Sequence, residues 1–438
     1  MSELGSIYGT TIDGSNTLVI DFSNIDICSN LNVKSSLTLN NTNVSDSLTK
    51  IDASLVFLAS NSGGSEEDEE VIRLTGLYDL EPNTTNSAAI INQIANNFKG
   101  PWWADSVDFY KDLSPAGVGN LSFEGGVLAP NGKVILVPSN SGAIGIYDPI
   151  TGIYTLGPSH GEGPQAFSGG VLAPNGKIIL VPFKSANVGI YDPTDGPIGS
   201  YTSGIQHLEA FMSFRGGVLA PNGKIIFVPY NSINVGVYDP VTNIYASGFT
   251  HGEGGNAFTG GVLAPNGKII FVPHYSANIG IYEPSNNTYT SKSGPGYYPA
   301  AFEGGVLAPN GKIIFVPHRK NVIGIYDPSN DIYNTIGYPR LEDWTFSGGV
   351  LAGNGKIILV PYDSDNVGIY DPMVGANGSY TQGDAHGNGN NAFTGGVLTP
   401  NGKIILVPKR STKIGVYGNG GYPLKYENDA LMPYFNKF

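Results

Sequence analysis

The side chains best suited to chemistry in this sequence stand at two positions that recur along the chain. At the first position, histidines lie seven residues before a phenylalanine: His160, His207, His251 and His386. The second position directly follows a proline, and it carries His274, His318, Phe183, Tyr230 and Tyr362. Imidazole ligates metals and moves protons, whereas aromatic rings beside Asn and Gly suit a sugar, which has apolar faces and hydroxyl edges.

A metal site is the first possibility that the histidines raise. A His-x-Glu pair occurs at His160–Glu162, His207–Glu209 and His251–Glu253. One such pair supplies two ligands, whereas a protein zinc site needs about four donors around one point. We therefore predict no metal and no other cofactor.

Catalytic signatures are the second possibility. The sequence contains no recognisable Ser-His-Asp order and no nucleophile elbow. Some carboxylates fall on loops that differ between repeats, and we interpret them as solvated loop charges: Glu342, Asp343, Asp363 and Asp365. We predict no catalytic residue and do not expect an enzyme.

Both recurring positions belong to a repeat that occurs seven times. Its first aromatic residue stands at Phe123, Phe167, Phe214, Phe258, Phe302, Phe346 and Phe393. The steps between these residues are 44, 47, 44, 44, 44 and 47 residues. A fixed period in this range, carrying only strand and turn signals, is typical of a closed array of small sheets.

One repeat contains four strand signals, at 260–265, 268–273, 278–283 and 287–290 in the copy that begins with Phe258. Asn266-Gly267 predicts a type I′ hairpin turn. The uninterrupted apolar run Ile269–Val272 predicts a strand buried on both faces. The sequence therefore predicts an all-β fold, a seven-bladed β-propeller with four-stranded blades, in which the glycine-rich strand is innermost.

Two segments compete for the outer strand of the last blade. Val107–Lys111 precedes the first repeat, Tyr422–Tyr426 follows the seventh, and both stand in the register of a fourth strand. We favour the N-terminal segment as the one that closes the ring.

The repeat resembles the kelch repeat. The shared features are a Gly-Gly strand, an Asn-Gly-Lys-Ile-Ile strand and the sequence Val-Gly-Ile-Tyr-Asp-Pro at Val188–Pro193, over roughly residues 105–426. Two features differ, because Val-Pro stands where kelch repeats close the second strand with two glycines, and Tyr replaces their late Trp. The resemblance implies a propeller fold and leaves the activity open.

The strand order predicts two unlike faces. The Asn-Gly and Asp-Pro turns share one face, where the repeats barely differ, and we call it the constant face. The second-to-third and inter-blade loops share the other, the variable face, which we predict to bind a glycan or protein ligand. Its predicted residues are the recurring histidines and aromatics named above, with Trp344 and Tyr298 from the inter-blade loops. The alternative is that these rings only pack locally on the blade tops.

The first hundred residues differ in kind. We predict a β-rich stalk or anchor at 1–62, an acidic linker with a short helix at 63–100, and the propeller at 101–438. Leu48, Ile51, Leu55 and Leu58 follow the 3-4-3 spacing of a coiled-coil seam, which predicts a homo-oligomer such as a trimer. This region resembles the stalk of viral and phage fibre proteins. The alternative is an ordinary β-rich domain packed on the propeller.

The composition limits the classes of partner that the protein is expected to bind. The net charge is −13 without a basic stripe, so no nucleic acid is expected. The single cysteine, Cys28, excludes an internal disulfide. No signal peptide and no apolar run of about 18 residues is visible, so no membrane insertion is predicted.

These observations favour a non-catalytic structural or binding protein. We expect a virion or fibre component, on a virion or extracellular surface, whose propeller head serves attachment. Its predicted partners are further copies of itself, other virion or surface proteins, and a glycan. The alternatives are a propeller enzyme acting on carbohydrate and an intracellular kelch-type interaction module.

Overall fold

The computed structural model describes residues 121–338 and 344–418 in full, together with the backbone of seven short strands between residues 10 and 115. The chain divides into two compact units, Met1–Glu81 and Pro82–Phe438. In the part described, no helix has the length and apolarity that crossing a bilayer requires.

Short two-stranded pairs are described in the first unit. They are β1 (Thr10–Ile12) with β2 (Leu18–Ile20), β3 (Thr38–Leu39) with β4 (Thr42–Asn43), and β5 (Val56–Phe57) with β6 (Arg73–Leu74). The predicted seam residues lie outside the described residues: Leu48, Ile51, Leu55 and Leu58. The acidic linker and the short helix predicted within 63–100 also lie outside them, apart from β6.

The second unit contains seven four-stranded antiparallel sheets, one for each repeat. The innermost strands are β8 (Phe123–Leu128), β12 (Phe167–Leu172), β16 (Phe214–Leu219), β20 (Phe258–Leu263), β24 (Phe302–Leu307), β28 (Phe346–Leu351) and β32 (Phe393–Leu398). The second strands are β9 (Val134–Pro138), β13 (Ile178–Pro182), β17 (Ile225–Pro229), β21 (Ile269–Pro273), β25 (Ile313–Pro317), β29 (Ile357–Pro361) and β33 (Ile404–Pro408).

The third and fourth strands complete each sheet. The third strands are β10 (Ala143–Asp148), β14 (Asn187–Asp192), β18 (Asn234–Asp239), β22 (Asn278–Glu283), β26 (Val322–Asp327), β30 (Asn366–Asp371) and β34 (Lys413–Tyr417). The outermost strands are β11 (Ile153–Ser159), β15 (Ser200–Gln206), β19 (Ile244–Thr250), β23 (Thr288–Ser293), β27 (Ile332–Gly337), β31 (Ser379–Ala385) and β7 (Tyr110–Pro115). The predicted seven-bladed propeller is thus confirmed, and we number the blades 1 to 7 from Phe123.

The innermost strands are glycine-rich because neighbouring blades meet there. Gly260 has a φ of +75°, and a Cβ on it would lie 3.1 Å from the Cα of Gly304 in the next blade. A Cβ on Gly261 would lie 2.9 Å from Val218 and 3.0 Å from Val228 of the preceding blade. Any larger residue would therefore force the blades apart. The prediction that the glycine strand is innermost is confirmed.

The second strands carry the core. All five residues of each one are buried, as in Ile269–Pro273 and its six equivalents. Each strand is covered on both faces because the neighbouring blades lie against it, which is why its apolar residues do not alternate with polar ones.

The ring is closed by the strand that precedes the first repeat. β7 pairs with β34 in antiparallel register, with Tyr110 opposite Tyr417, so blade 7 takes its outer strand from the N-terminal side of the propeller. This confirms the favoured prediction. The competing segment, Tyr422–Tyr426, lies outside the described residues.

The constant face differs in one detail from the prediction. Gly267 has positive φ but Asn266 does not, and the amide of Gly267 donates to the carbonyl of Ala264. The amide of Ala264 in turn donates to the carbonyl of Lys268. The hairpin therefore has a type I turn followed by a glycine bulge, and the predicted type I′ turn is wrong. Pro265 explains this, because its fixed φ suits the second position of a type I turn.

The side chain of the turn asparagine ties six of the seven blades to the next one. Its Nδ2 donates to the carbonyl of the Asp-Pro or Glu-Pro proline of the following blade, over 2.9–3.5 Å. The pairs are Asn131–Pro193, Asn175–Pro240, Asn222–Pro284, Asn266–Pro328, Asn310–Pro372 and Asn401–Pro149. We call these contacts the asparagine latches.

Candidate functional site

The seven residues that follow the second-strand prolines surround the variable-face mouth of the central channel, and we call them the mouth ring. They are Ser139, Phe183, Tyr230, His274, His318, Tyr362 and Lys409. The carbonyl of each one accepts a hydrogen bond from a backbone amide of the next blade, over 2.7–3.3 Å. The amide of each one donates to a carbonyl of its own blade. The backbone of the mouth ring is therefore fixed whatever side chains it carries.

Aromatic rings follow one another along most of the mouth ring. Phe183 and Tyr230 have ring centroids 5.8 Å apart, and Tyr230 and His274 are also 5.8 Å apart. His318 lies 6.4 Å from His274 and 5.2 Å from Tyr362. The predicted post-proline residues are thus brought together into one surface.

Lys409 and Ser139 interrupt this aromatic surface. The Nζ of Lys409 lies 5.2 Å from the ring centroid of Tyr362, as a cation–π contact. Ser139 is the smallest member of the mouth ring, and a cavity of about 180 Å³ opens beside it. We call this cavity the notch. Its lining includes Ser139, Asn140, Gln165, Phe183 and Lys409.

Three charged residues directly follow the first phenylalanine of their repeats, and Lys409 of the mouth ring contacts one of them. Nη2 of Arg215 is 3.0 Å from Oε1 of Glu124 and 2.7 Å from Oε1 of Glu303. Nζ of Lys409 is 3.0 Å from Oε2 of Glu124. These contacts form a chain of alternating charge, Lys409–Glu124–Arg215–Glu303, which we call the charge chain. Its members belong to blades 7, 1, 3 and 5, so it crosses the channel.

The charge chain keeps its members ionised. Burial alone would raise the pKa of Glu124, but the charges of Lys409 and Arg215 outweigh it, and the pKa falls below its usual range. Burial likewise opposes ionisation of Glu303, and the charge of Arg215 again lowers the pKa. The two carboxylates overcome the effect of burial on Arg215 and raise its pKa.

The two mouth-ring histidines are neutral. Burial lowers the pKa of His274, and it lowers the pKa of His318 to about 4. The Nδ1 of His274 lies 3.1 Å from the carbonyl oxygen of Phe302, and that of His318 lies 2.6 Å from the carbonyl oxygen of Phe346. Because a carbonyl only accepts, Nδ1 carries the proton in both rings and Nε2 carries the lone pair.

Two inter-blade aromatics flank this surface. Trp344 has a left-handed backbone with φ of 62°, and its ring lies 4.8 Å from that of His318 and 4.9 Å from the guanidinium of Arg319. The hydroxyl of Tyr298 donates to the carbonyl of Arg319 over 3.3 Å, and the ring lies under Lys320. Trp344 thus extends the aromatic surface of the mouth, while Tyr298 packs on the loop that follows His318.

The remaining four histidines are buried supports of the inter-blade loops. The Nε2 of each lies 2.7–2.9 Å from a serine carbonyl, and Nδ1 accepts an amide two residues on over 3.1–3.2 Å. Both ring nitrogens are therefore occupied in His160, His207, His251 and His386. We leave these four out of the proposed binding surface, because they offer no nitrogen to a ligand.

The glutamate of each His-x-Glu pair also has a local partner. Glu253 accepts the hydroxyls of Tyr289 over 3.1 Å and Ser276 over 2.9 Å, and Glu162 and Glu209 bind the equivalent residues. Within the described ranges, His, Cys, Asp and Glu side chains form no group of three that could hold a metal ion. The His-x-Glu pairs thus tie loops to blades in this structure.

Sequence reasoning missed two features of the site. The first is the charge chain, because Glu124, Arg215 and Glu303 are far apart along the chain and only ring closure brings them together. The second is Leu208, whose φ is 57° and whose side chain is 88 % exposed. The equivalent positions of other blades are glycines, such as Gly161 and Gly252, and an alignment of the repeats would have revealed the exception.

Comparison with known proteins supports the architecture. No family model and no curated protein sequence matches the chain. Among solved structures, a streptogramin B lyase is similar with a TM-score of 0.58 and 16% identity, covering 71% of this chain and 97% of that one. A catalytically inactive virginiamycin B lyase from Staphylococcus aureus with quinupristin gives 0.60 and 15% identity, covering 71% and 99%.

A solved structure of another kind is also similar to this chain. The extracellular domain of a B. thetaiotaomicron two component system has a TM-score of 0.55 and 12% identity. The similarity covers 71% of this chain and 41% of that one. At these identities the similarity establishes the propeller fold alone.

Proposed function

We propose that this protein is a non-catalytic binding protein whose propeller takes a saccharide in the notch beside Ser139. The observation that carries the proposal is the form of the mouth ring: six bulky side chains and one small one, on a backbone fixed by hydrogen bonds between blades. A rigid frame with one opening is a preorganised pocket.

The lining of the notch suits a sugar ring. Phe183 supplies an aromatic face on one side, and Ser139, Asn140 and Gln165 supply hydroxyl and amide groups around it. Lys409 and Arg215 add charged donors at the floor. Apolar faces and hydroxyl edges of a pyranose fit this combination of aromatic and hydrogen-bonding groups.

The ionisation of the charge chain supports a binding role over carbohydrate cleavage. Hydrolysis of a glycosidic bond uses two carboxyl groups, one of which must be protonated and therefore have a raised pKa. The pKa values of Glu124 and Glu303 are both lowered. Neither is a suitable proton donor at neutral pH, so the alternative of a carbohydrate-cleaving enzyme is the weaker one.

Binding is tested by filling the notch. Ser139→Tyr gives position 139 an aromatic residue of the kind that most other mouth-ring positions already carry, so the fold should tolerate it. On an array of immobilised oligosaccharides, we expect the full chain to bind, Ser139→Tyr to lose at least about tenfold in affinity, and Ser139→Ala to keep it. Equal thermal denaturation midpoints would show that both variants fold. No binding by the wild-type chain, or full binding by Ser139→Tyr, would refute the proposal.

We further propose that the propeller is the displayed head of a virion or fibre protein, with residues 1–62 as its oligomerising stalk. The support is the fibre-like sequence of that region and the low share of charged residues, 13%. Light scattering of residues 1–438 and 101–438 tests this. We expect a trimer and a monomer, respectively, because the shorter chain keeps β7 and so the complete ring. A monomeric full chain would exclude the stalk.

A further inference from the structure

The charge chain has one oxygen without a partner. Oε1 of Glu303 is bound by Arg215, but Oε2 is buried and, among the described residues, has no hydrogen-bond partner. Nδ1 of the neutral His274 lies 3.7 Å from Oε2, beyond hydrogen-bonding distance, and it already faces the carbonyl of Phe302. A buried carboxylate oxygen is stabilised by a donor, and residues 121–338 and 344–418 supply none to Oε2.

The surroundings of Glu303 offer acceptors and few donors. Because Nδ1 of His274 and of His318 carries the proton, the Nε2 atom of each ring is a further acceptor. Glu303 does not line the notch itself; it lines an adjoining channel cavity of about 50 Å³, which shares Glu124, Ser168 and Arg215 with the notch. This volume accommodates one small group such as a hydroxymethyl.

The residues that line the notch offer hydrogen-bond donors. The guanidinium of Arg215 lines the notch as well as the channel cavity, and it also lies 5.6 Å from the ring centroid of Tyr230. A guanidinium carries five N–H donors, and Nη2 is the atom that contacts the two carboxylates. Asn140 and Gln165 carry amide donors. Since Nη2 of Arg215 lies 3.0 Å from Oε1 of Glu124 and 2.7 Å from Oε1 of Glu303, these two oxygens are less than about 6 Å apart, and Glu303 is therefore close to the notch that Glu124 lines.

The net charge of the site decides which ligand fits both sides. Two cations and two anions cancel in the charge chain, and His274 and His318 are neutral. An anion or a cation brought into this site would be desolvated without a net opposite charge. Hydroxyl groups both donate and accept and carry no charge, so they satisfy both sides without that cost.

We propose, resting on the function proposed above, that the notch selects a neutral saccharide over an acidic one, with a ligand hydroxyl donating to Oε2 of Glu303. The discriminating groups are Glu303, which needs a donor, and the balanced charges of the chain around Arg215. Phe183 and Ser139 border the opening that the sugar ring enters. Glu303 distinguishes a hydroxyl, which donates a hydrogen bond, from a carboxylate, which does not.

Matched sugar pairs test the selection. Glucose with glucuronic acid, and galactose with galacturonic acid, differ only in a hydroxymethyl and a carboxylate. Titration of the full chain followed by NMR or calorimetry should show at least one neutral sugar binding about tenfold more tightly than its acid. Glu303→Gln replaces one carboxylate oxygen with an amide donor and leaves the site with a net positive charge, so it should lose about tenfold for the neutral sugar and bind the acid better than the wild type does.

Asp327→Asn is the matched control. It makes the same acid-to-amide change on blade 5, but in the Asp-Pro turn of the constant face. We expect it to keep the wild-type preference, and thermal denaturation shows whether each variant is folded. A wild type that binds the acid as well as the neutral sugar, or a folded Glu303→Gln that keeps the wild-type preference, would overturn the inference while leaving saccharide binding intact. A wild type that binds neither member of any pair would overturn both proposals.

Discussion

The two faces of the propeller are both tied from blade to blade, but by different parts of the residue. On the constant face the tie is a side chain, because the asparagine latch reaches the next proline carbonyl. On the variable face the tie is backbone, because the carbonyl of each mouth-ring residue accepts an amide from the next blade. The asparagine must therefore recur, whereas the mouth ring is free to vary. A face held by its backbone is the one on which a binding site can be built.

The largest effect on stability is expected from replacing Arg215, the cation that contacts both carboxylates of the charge chain. Arg215→Met leaves Glu124 and Glu303 buried without their shared partner, and we expect a loss of about 3–5 kcal/mol in the free energy of unfolding. Chemical denaturation at pH 7 measures this. A loss below about 1 kcal/mol would show that the charge chain does not stabilise the mouth.

The same variant has a pH signature. In the wild type, Arg215 lowers the folded-state pKa of both carboxylates, so their contribution is present above the usual glutamate pKa of 4.5 and is lost as pH falls through the lowered values. In Arg215→Met burial dominates at Glu303, its pKa rises above that of the unfolded chain, and acid restores part of the stability. Denaturation curves from pH 7 to pH 4 should therefore converge. Parallel curves would contradict this account.

A matched pair of truncations sharpens the comparison directly. Asn310→Ala removes two hydrogen bonds of the constant face, to Pro372 over 2.9 Å and from the amide of Lys312 over 3.2 Å, and should cost about 1–2 kcal/mol. Phe183→Ala keeps both backbone bonds of the mouth ring, so it should cost less stability than Asn310→Ala although it removes more atoms. Denaturation midpoints in the opposite order would refute the division between the faces.

The inter-blade loops offer a smaller test. Leu208 holds a left-handed backbone that glycine adopts freely, so Leu208→Gly should stabilise the protein by about 1 kcal/mol. Gly252→Leu makes the reverse change at the equivalent position of blade 4, where φ is 73°, and should destabilise by a similar amount. Thermal denaturation compares the two. A Leu208→Gly variant less stable than the wild type would mean that contacts of the leucine side chain stabilise the fold by more than the strained backbone costs.

The smallest effect concerns two equivalent tyrosines. The hydroxyl of Tyr289 donates to Glu253 over 3.1 Å, whereas that of Tyr333 is buried without a partner among the described residues. Tyr289→Phe should therefore cost about 1 kcal/mol, and Tyr333→Phe should be neutral or slightly stabilising. Equal losses in the two variants would show that Tyr333 has a partner in solution.

The fold could be predicted because its signals are local and repeated. Phe258, the Gly-Gly pair and the turn sequence recur at a fixed period, and each copy reports the same four strands. The turn type was predicted wrongly, because Asn266-Gly267 was read without the proline that precedes it. Register made β7 one of two candidates for the outer strand of blade 7, because Tyr110 matches the outer-strand tyrosines of the repeats but Tyr422–Tyr426 stands in the same register.

The site was predicted only in part, for a physical reason. The post-proline residues form one surface as expected, because strand direction fixes which ends of the blades meet. The roles of individual histidines did not follow from spacing: His251 is saturated by two backbone groups, while His274 keeps one nitrogen free of them. The pairing of Arg215 with Glu303 depends on how far each side chain extends across the channel, and a linear sequence does not state that distance.

The pairing of β7 with β34 constrains the order in which the strands of the propeller can pair as the chain is synthesised. Residues 110–115 are synthesised about 300 residues before their partner, residues 413–417. Until then blade 7 has no outer strand, and the unfinished array has two open ends with bare hydrogen-bonding edges. Joining such distant segments is slow compared with forming a hairpin. The first strand of the propeller to be synthesised is therefore among the last to be paired. Until then, the nascent chain must avoid pairing this strand with the exposed edges of other sheets.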